Sequence, residues 1–142
     1  PDQALAALEE VAAQTEAAWV RRRLVEKYVQ LGRREEAMQA IRLLWPDASA
    51  EDIGRLQNVI QAACLAAQKD FRAALPILEE AYQAGCREPV CLHWLAAAQI
   101  ATGQVQSVEP VLQEWQRVDP AHPELRRYGE MLRRASPLQS EN

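Results

Sequence analysis

The sequence predicts an all-α chain in which antiparallel helix pairs stack in series. Three observations carry that prediction. Residues that favour helix dominate the 142-residue chain: 49% are hydrophobic, much of that fraction Ala, 25% are charged, and β-branched runs are absent. A block recurs, since Phe71–Glu80 (FRAALPILEE) aligns with Val105–Glu114 (VQSVEPVLQE) at an offset of 34, setting Pro76 over Pro110 and Leu78 over Leu112. Five Gly and eight Pro lie mostly between the periodic segments, where they act as punctuation.

The repeat extends upstream. Leu31–Met38 (LGRREEAM) matches Thr102–Glu109 (TGQVQSVE) at an offset of 71, two periods plus three residues, and the extra three fall in the connection around Pro46–Ala50. About eight helices are expected, near 2–14, 17–31, 34–45, 50–68, 70–84, 89–102, 105–118 and 123–134. Ser49 is placed to cap the helix from 50, with Asp52 three residues on, where a carboxylate suits the unpaired N–H groups. Pro76 and Pro110 each fall about five residues into a helix, removing one backbone hydrogen bond and bending it slightly. Gly85 is a left-handed stop after the fifth helix. Asp119-Pro120 and His122-Pro123 end one helix and begin the next.

Composition bounds the function classes. A net charge of -4 does not favour nucleic acid, which a basic stripe would. No apolar run approaches the roughly 18 residues of a membrane span. Pro1-Asp2-Gln3-Ala4 has neither the basic start nor the apolar core of a secretory signal. The chain also opens without Met, so it is expected to be a piece of a longer protein. Cys64, Cys86 and Cys91 are odd in number, which suggests free thiols and a reducing, cytoplasmic setting.

A helical period of 34 is that of the tetratricopeptide repeat, and the chain resembles this family along nearly its whole length. One repeat, from Ala18, shows Leu24, Tyr28, Gly32, Ala37, Ile41 and Leu44, with Val25 in place of the small residue. Another, from Pro89, shows Leu92, Leu95, Ala96, Gly103, Val108, Leu112, Trp115 and Pro120, with Gln99 in place of Tyr. The middle repeat, from Arg55, keeps Ala62, Leu65, Ala74, Leu78 and Ala81 but has Lys69 at the turn glycine, and Asn58 and Gln61 fall on expected core positions. The resemblance implies a right-handed α-α superhelix. Repeats run near 18–54, 55–88 and 89–122, a partial repeat occupies 2–14, an Arg-rich capping helix 123–134, and a polar tail 135–142.

In this family first-helix residues line a concave groove that takes a protein or peptide segment. The resemblance assigns to it Trp19, Arg22, Arg23, Glu26 and Val29 from the first repeat. From the third repeat and the cap it assigns Val90, His93, Trp94, Ala97, Ile100, Glu124, Arg127 and Tyr128. Leu56, Val59, Ile60 and Ala63 would extend it through the middle repeat. Arg grips carboxylates through two hydrogen bonds and Trp anchors binding, so the groove suits an apolar segment with acidic neighbours. The alternative is a structural role, with homo-oligomerisation or packing of the chain's own segments and no external ligand.

No enzyme, cofactor or metal is expected. Nucleophile elbow, phosphate loop and zinc-protease motifs are absent. His93 and His122 have no evident nucleophile partner. Cys86, Cys91 and His93, spaced by five and two, do not make the paired spacing of a zinc site. Arg21-Arg22-Arg23 spans most of a helical turn, so its side chains diverge and read as a solvated face. Trp45 and Trp115 end second helices and read as packing beneath inter-repeat turns.

Overall fold

A computed structural model describes residues 3, 5–7, 9–10 and 18–135. Among them there is no strand. Seven helices follow in order: α1 Ala18–Gln30, α2 Arg34–Leu44, α3 Ala50–Ala67, α4 Phe71–Gln83, α5 Pro89–Ala101, α6 Val105–Val118 and α7 Leu125–Ala135. Residues 3, 5–7 and 9–10 are helical as well; the rest of the helix expected over 2–14 and nearly all of the tail lie outside the described residues.

The turns at 31–33, 68–70 and 102–104 close three helix pairs, and their chemistry repeats. Gly32 (φ +73°), Lys69 (φ +71°) and Gly103 (φ +83°) are all left-handed. After each, the next N–H reaches five residues back: Arg33 to the Tyr28 carbonyl at 2.8 Å, Asp70 to Leu65 at 2.9 Å, and Gln104 to Gln99 at 2.8 Å. These bonds satisfy carbonyls that a helix end otherwise leaves unpaired. Gly85 (φ +102°) ends α4 in the same way. Ser49 caps α3 as expected, accepting from the Asp52 N–H at 3.1 Å. Pro76 and Pro110 lie inside α4 and α6 on their exposed side, where water can serve the freed carbonyls.

The pairs α1/α2, α3/α4 and α5/α6 stack in sequence, and α7 packs on α5 and α6. Small residues let the axes approach: Ala37, Ala62, Ala63, Ala66, Ala74 and Ala96 are fully or almost fully buried. In α3 the core is carried by Val59, Ile60 and these alanines, while Asn58 and Gln61 face solvent. The register expected for that helix is thereby corrected, because burying two amides would leave polar groups unpaired. Trp115 is fully buried, whereas Trp45 ends α2 with 43% of its surface exposed.

Helix α5 is the hub. It is buried nearly all round from Pro89 to Gln99 and touches α1, α3, α4, α6 and α7. Its contact with α1 skips a repeat, so the third pair curls back onto the first. Helix α7 closes the end with an apolar face of Tyr128, Met131 and Leu132, and its Arg126, Arg127, Arg133 and Arg134 are exposed.

Lys69 is the one non-glycine among the described left-handed residues. A Lys69→Gly substitution is expected to stabilise the fold by about 1 kcal/mol by relieving the side-chain penalty at positive φ. Gly103→Ala, where an added Cβ meets nothing within 4 Å, is expected to destabilise by a similar amount from backbone strain alone. Urea midpoints at unchanged m-value measure both.

Candidate functional site

The face of α1 that should line the groove carries Arg22, Arg23 and Glu26. All three are engaged within the chain. Arg22 donates to both carboxylate oxygens of Glu88 at 3.2 and 3.4 Å. Arg23 forms a tighter fork on Asp119, at 2.7 and 2.9 Å, and this bond holds its guanidinium further toward the charged form. Glu26 goes deeper and keeps only 5% of its surface exposed. Its carboxylate meets His93 Nδ1 at 3.1 Å and also His122 Nε2.

These three groups come from distant segments. Glu26 sits on α1, His93 on α5, and His122 in the 119–124 connection before α7. The proline after His122 and the N-terminus of α7 orient the second imidazole, because His122 Nδ1 accepts the Glu124 N–H at 3.1 Å. That bond places the neutral ring's proton on Nε2, aimed at Glu26. On His93 the far nitrogen, Nε2, lies 3.2 Å from the Tyr128 hydroxyl. Burial pushes Tyr128 up to about 12, so it stays a hydroxyl, able to donate to or accept from His93; the Glu26 carboxylate can only accept, which puts a proton on His93 Nδ1. Burial alone would raise the Glu26 pKa, but hydrogen bonds from His122 and His93 outweigh it and hold the carboxyl at about 2.

Aromatic rings wall the cluster. His93 stacks near Trp94 and Trp115, with centroids 4.2 and 5.1 Å away at 17°, and His122 stands edge-on to Trp115 at 4.7 Å. The donor atoms of Glu26, His93 and His122 all lie within 4.8 Å of one another, a set of residue types able to hold a metal ion.

The residues expected to line an open groove therefore divide. Glu26, Val29, Val59, Ile60, Ala63 and Val90 are buried, while His93 and Tyr128, also largely buried, form part of a groove wall. Arg22 and Arg23 are half-buried in ion pairs. The physical reason is the approach of α5 to α1, which turns much of the concave face into interior. Trp94 and Arg127 still line a groove of about 340 Å³ between the ends of α1 and α3 and helices α5 and α7. Trp19 stands apart, 65% exposed. The sequence marks His122 as a helix boundary and as a histidine without a nucleophile partner, and does not point to Glu88 or Asp119 as ion-pair partners. No spacing signal links positions 66 to 96 residues apart. Cys86 and Cys91, by contrast, are in mutual contact, with Cys86 lowered to about 7 chiefly by its hydrogen bond with Cys91.

A family model described as tetratricopeptide repeat matches residues 1–60 and 65–128, and the chain belongs to that family. Tetratricopeptide repeats generally mediate protein–protein interaction and are typically non-enzymatic. No curated protein and no solved structure matches the chain. No helix among the described residues is long and apolar enough to cross a membrane.

Glu26→Gln keeps the shape but turns an amide N–H toward donors. It is expected to lower stability by about 3–5 kcal/mol, as for a broken buried ion pair. Because folding lowers the Glu26 pKa, its contribution is complete above the ordinary value of 4.5 and is lost as pH falls toward about 2. Urea titrations across that window, with a chelator present, should show a steep slope in the parent chain and a flatter one in the variant.

Proposed function

We infer that the chain is a protein-interaction module whose docking surface is the groove between α5 and α7 rather than the whole concave face. The observation that carries this is Trp94. It is half-buried in the groove wall and presents part of its indole ring to the groove, where it can pack against a docked apolar side chain. Phe71, Ile100 and Met131 supply an apolar floor, and Lys69 and Arg127 stand at the rim. This chemistry suits a short apolar segment with acidic neighbours.

A second reading rests on a separate observation. Leu43 and Trp45 are exposed, at 62% and 43%, and Trp45 with Leu44 and Leu56 lines a depression of about 730 Å³. With much of the concave face closed by the chain itself, this patch supports self-association as a structural scaffold.

Peptides selected from a random display library should be enriched in an apolar core with Asp or Glu flanks. Trp94→Ala should weaken their binding at least about tenfold, the loss of one buried anchor. Arg127→Glu should shift the preference away from acidic flanks. Peptides that bind Trp94→Ala as tightly as the parent would remove the groove assignment. Light scattering over a concentration series separates the second reading: a dimer lost in Leu43→Ser/Trp45→Ser supports it, and a monomer at every concentration excludes it.

A further inference from the structure

We propose that Glu26, His93 and His122 form a buried binding site for a divalent transition-metal ion, with zinc the best fit, that ties the first repeat to the third. Each ligand comes from a different segment, and each side chain is at least nine-tenths buried. The donor atoms are one carboxylate oxygen, His93 Nδ1 and His122 Nε2, none more than 4.8 Å from another. Buried polar groups do not converge in this way from positions 26, 93 and 122 for lack of alternatives. An apolar filling would pack the same space without desolvating a carboxylate.

The donor set selects the ion. Two imidazoles and one carboxylate suit zinc and its neighbours in the first transition row. Calcium and magnesium want more oxygens than the site offers. Three protein ligands leave a fourth position for water. The surroundings also fit. The nitrogen of His93 that faces away from the cluster is held by Tyr128, the outer hydrogen bond that fixes a ligating ring. Walls of Trp94, Trp115 and Tyr128 exclude competing water. The other charged groups facing the cluster are Arg23, neutralised by Asp119, and Arg127, paired with Glu124 at 2.9 Å.

One contact works against the ion and shapes the prediction. His122 Nδ1 accepts the Glu124 N–H, so in the ion-free chain its Nε2 carries the proton. Coordination through Nε2 requires that single proton to shift to Nδ1, which breaks the bond from the Glu124 N–H and loosens the start of α7. Similarly, the His93 proton shifts from Nδ1 to Nε2, where the Tyr128 hydroxyl can accept it. Because the ligands are closed to solvent, uptake requires α7 to lift or the chain to refold around the ion.

The test is to refold chelator-stripped protein with Zn²⁺ or Co²⁺, desalt it, and measure bound metal per chain, melting temperature and the visible Co²⁺ spectrum. Three proteins are compared: the parent, Cys86→Ser/Cys91→Ala, and His122→Asn. The Asn retains an oxygen able to accept from Glu124 while removing the ligand. The expected result is one ion per chain in the parent and in the cysteine variant, a raised melting temperature, and at least tenfold weaker binding in His122→Asn. The Co²⁺ spectrum of the parent should show tetrahedral ligand-field bands without thiolate charge transfer, a readout that stands even where the His122 variant does not fold. No retained ion in the parent, thiolate bands, loss of binding in the cysteine variant, or undiminished binding in folded His122→Asn would each overturn the proposal.

Discussion

The arrangement depends on one carboxylate held almost entirely out of water. A buried ionised group is tolerated only where donors replace its hydration, and Glu26 finds two, from His93 and His122. Neither donor is local. Satisfying Glu26 therefore requires α1, α5 and the α6–α7 connection to sit at a fixed mutual distance. That requirement positions the ion pairs on either side, Arg22 with Glu88 and Arg23 with Asp119. It also orients the start of α7, through the same His122 ring that caps Glu124. Polar satisfaction, cap and repeat spacing thus share one side chain.

Around that point the repeat architecture supplies the bulk of the packing. Each helix pair leaves an apolar stripe that only its neighbour can cover. Here α5 receives stripes from both sides and from the cap, which accounts for a helix buried nearly all round. The cost of the closure falls on the binding surface. A concave face that curls far enough for α1 to meet α5 loses most of its open length, and what stays accessible is a shorter groove beside Trp94.

Local features were legible in the sequence because their causes are local. The 34-residue offset, the left-handed residues at 32 and 103, the Ser49 cap and the internal prolines each depend on a few neighbouring residues. Lys69 was readable as an odd occupant of a glycine place, though nothing in the pattern required it to adopt the same conformation. The register of α3 was not readable. Alanine serves on several faces of a helix, and with Ala62, Ala63, Ala66 and Ala67 together the apolar stripe has no sharp edge. The site was legible by halves. Arg22, Arg23, Glu26, His93 and Tyr128 were assigned to one surface, and they do come together. Whether that surface opens to solvent depends on superhelical winding, which sums small angles over three helix pairs and leaves no mark at any single position. His122 was hidden by its setting, since a residue between two prolines reads as a boundary first.

An ordinary linear array can fray from either end, one unit at a time, because every unit speaks only to its neighbours. The bond from Glu26 to His93 and His122 joins units that are not neighbours, and so converts a ladder into a loop. Detaching the last helix exposes a charge in the first pair, and lifting the first pair strips the partners from the last. A chain tied in this way resists gradual unravelling under tension or protease and gives way as a single body, holding its shape until it loses all of it.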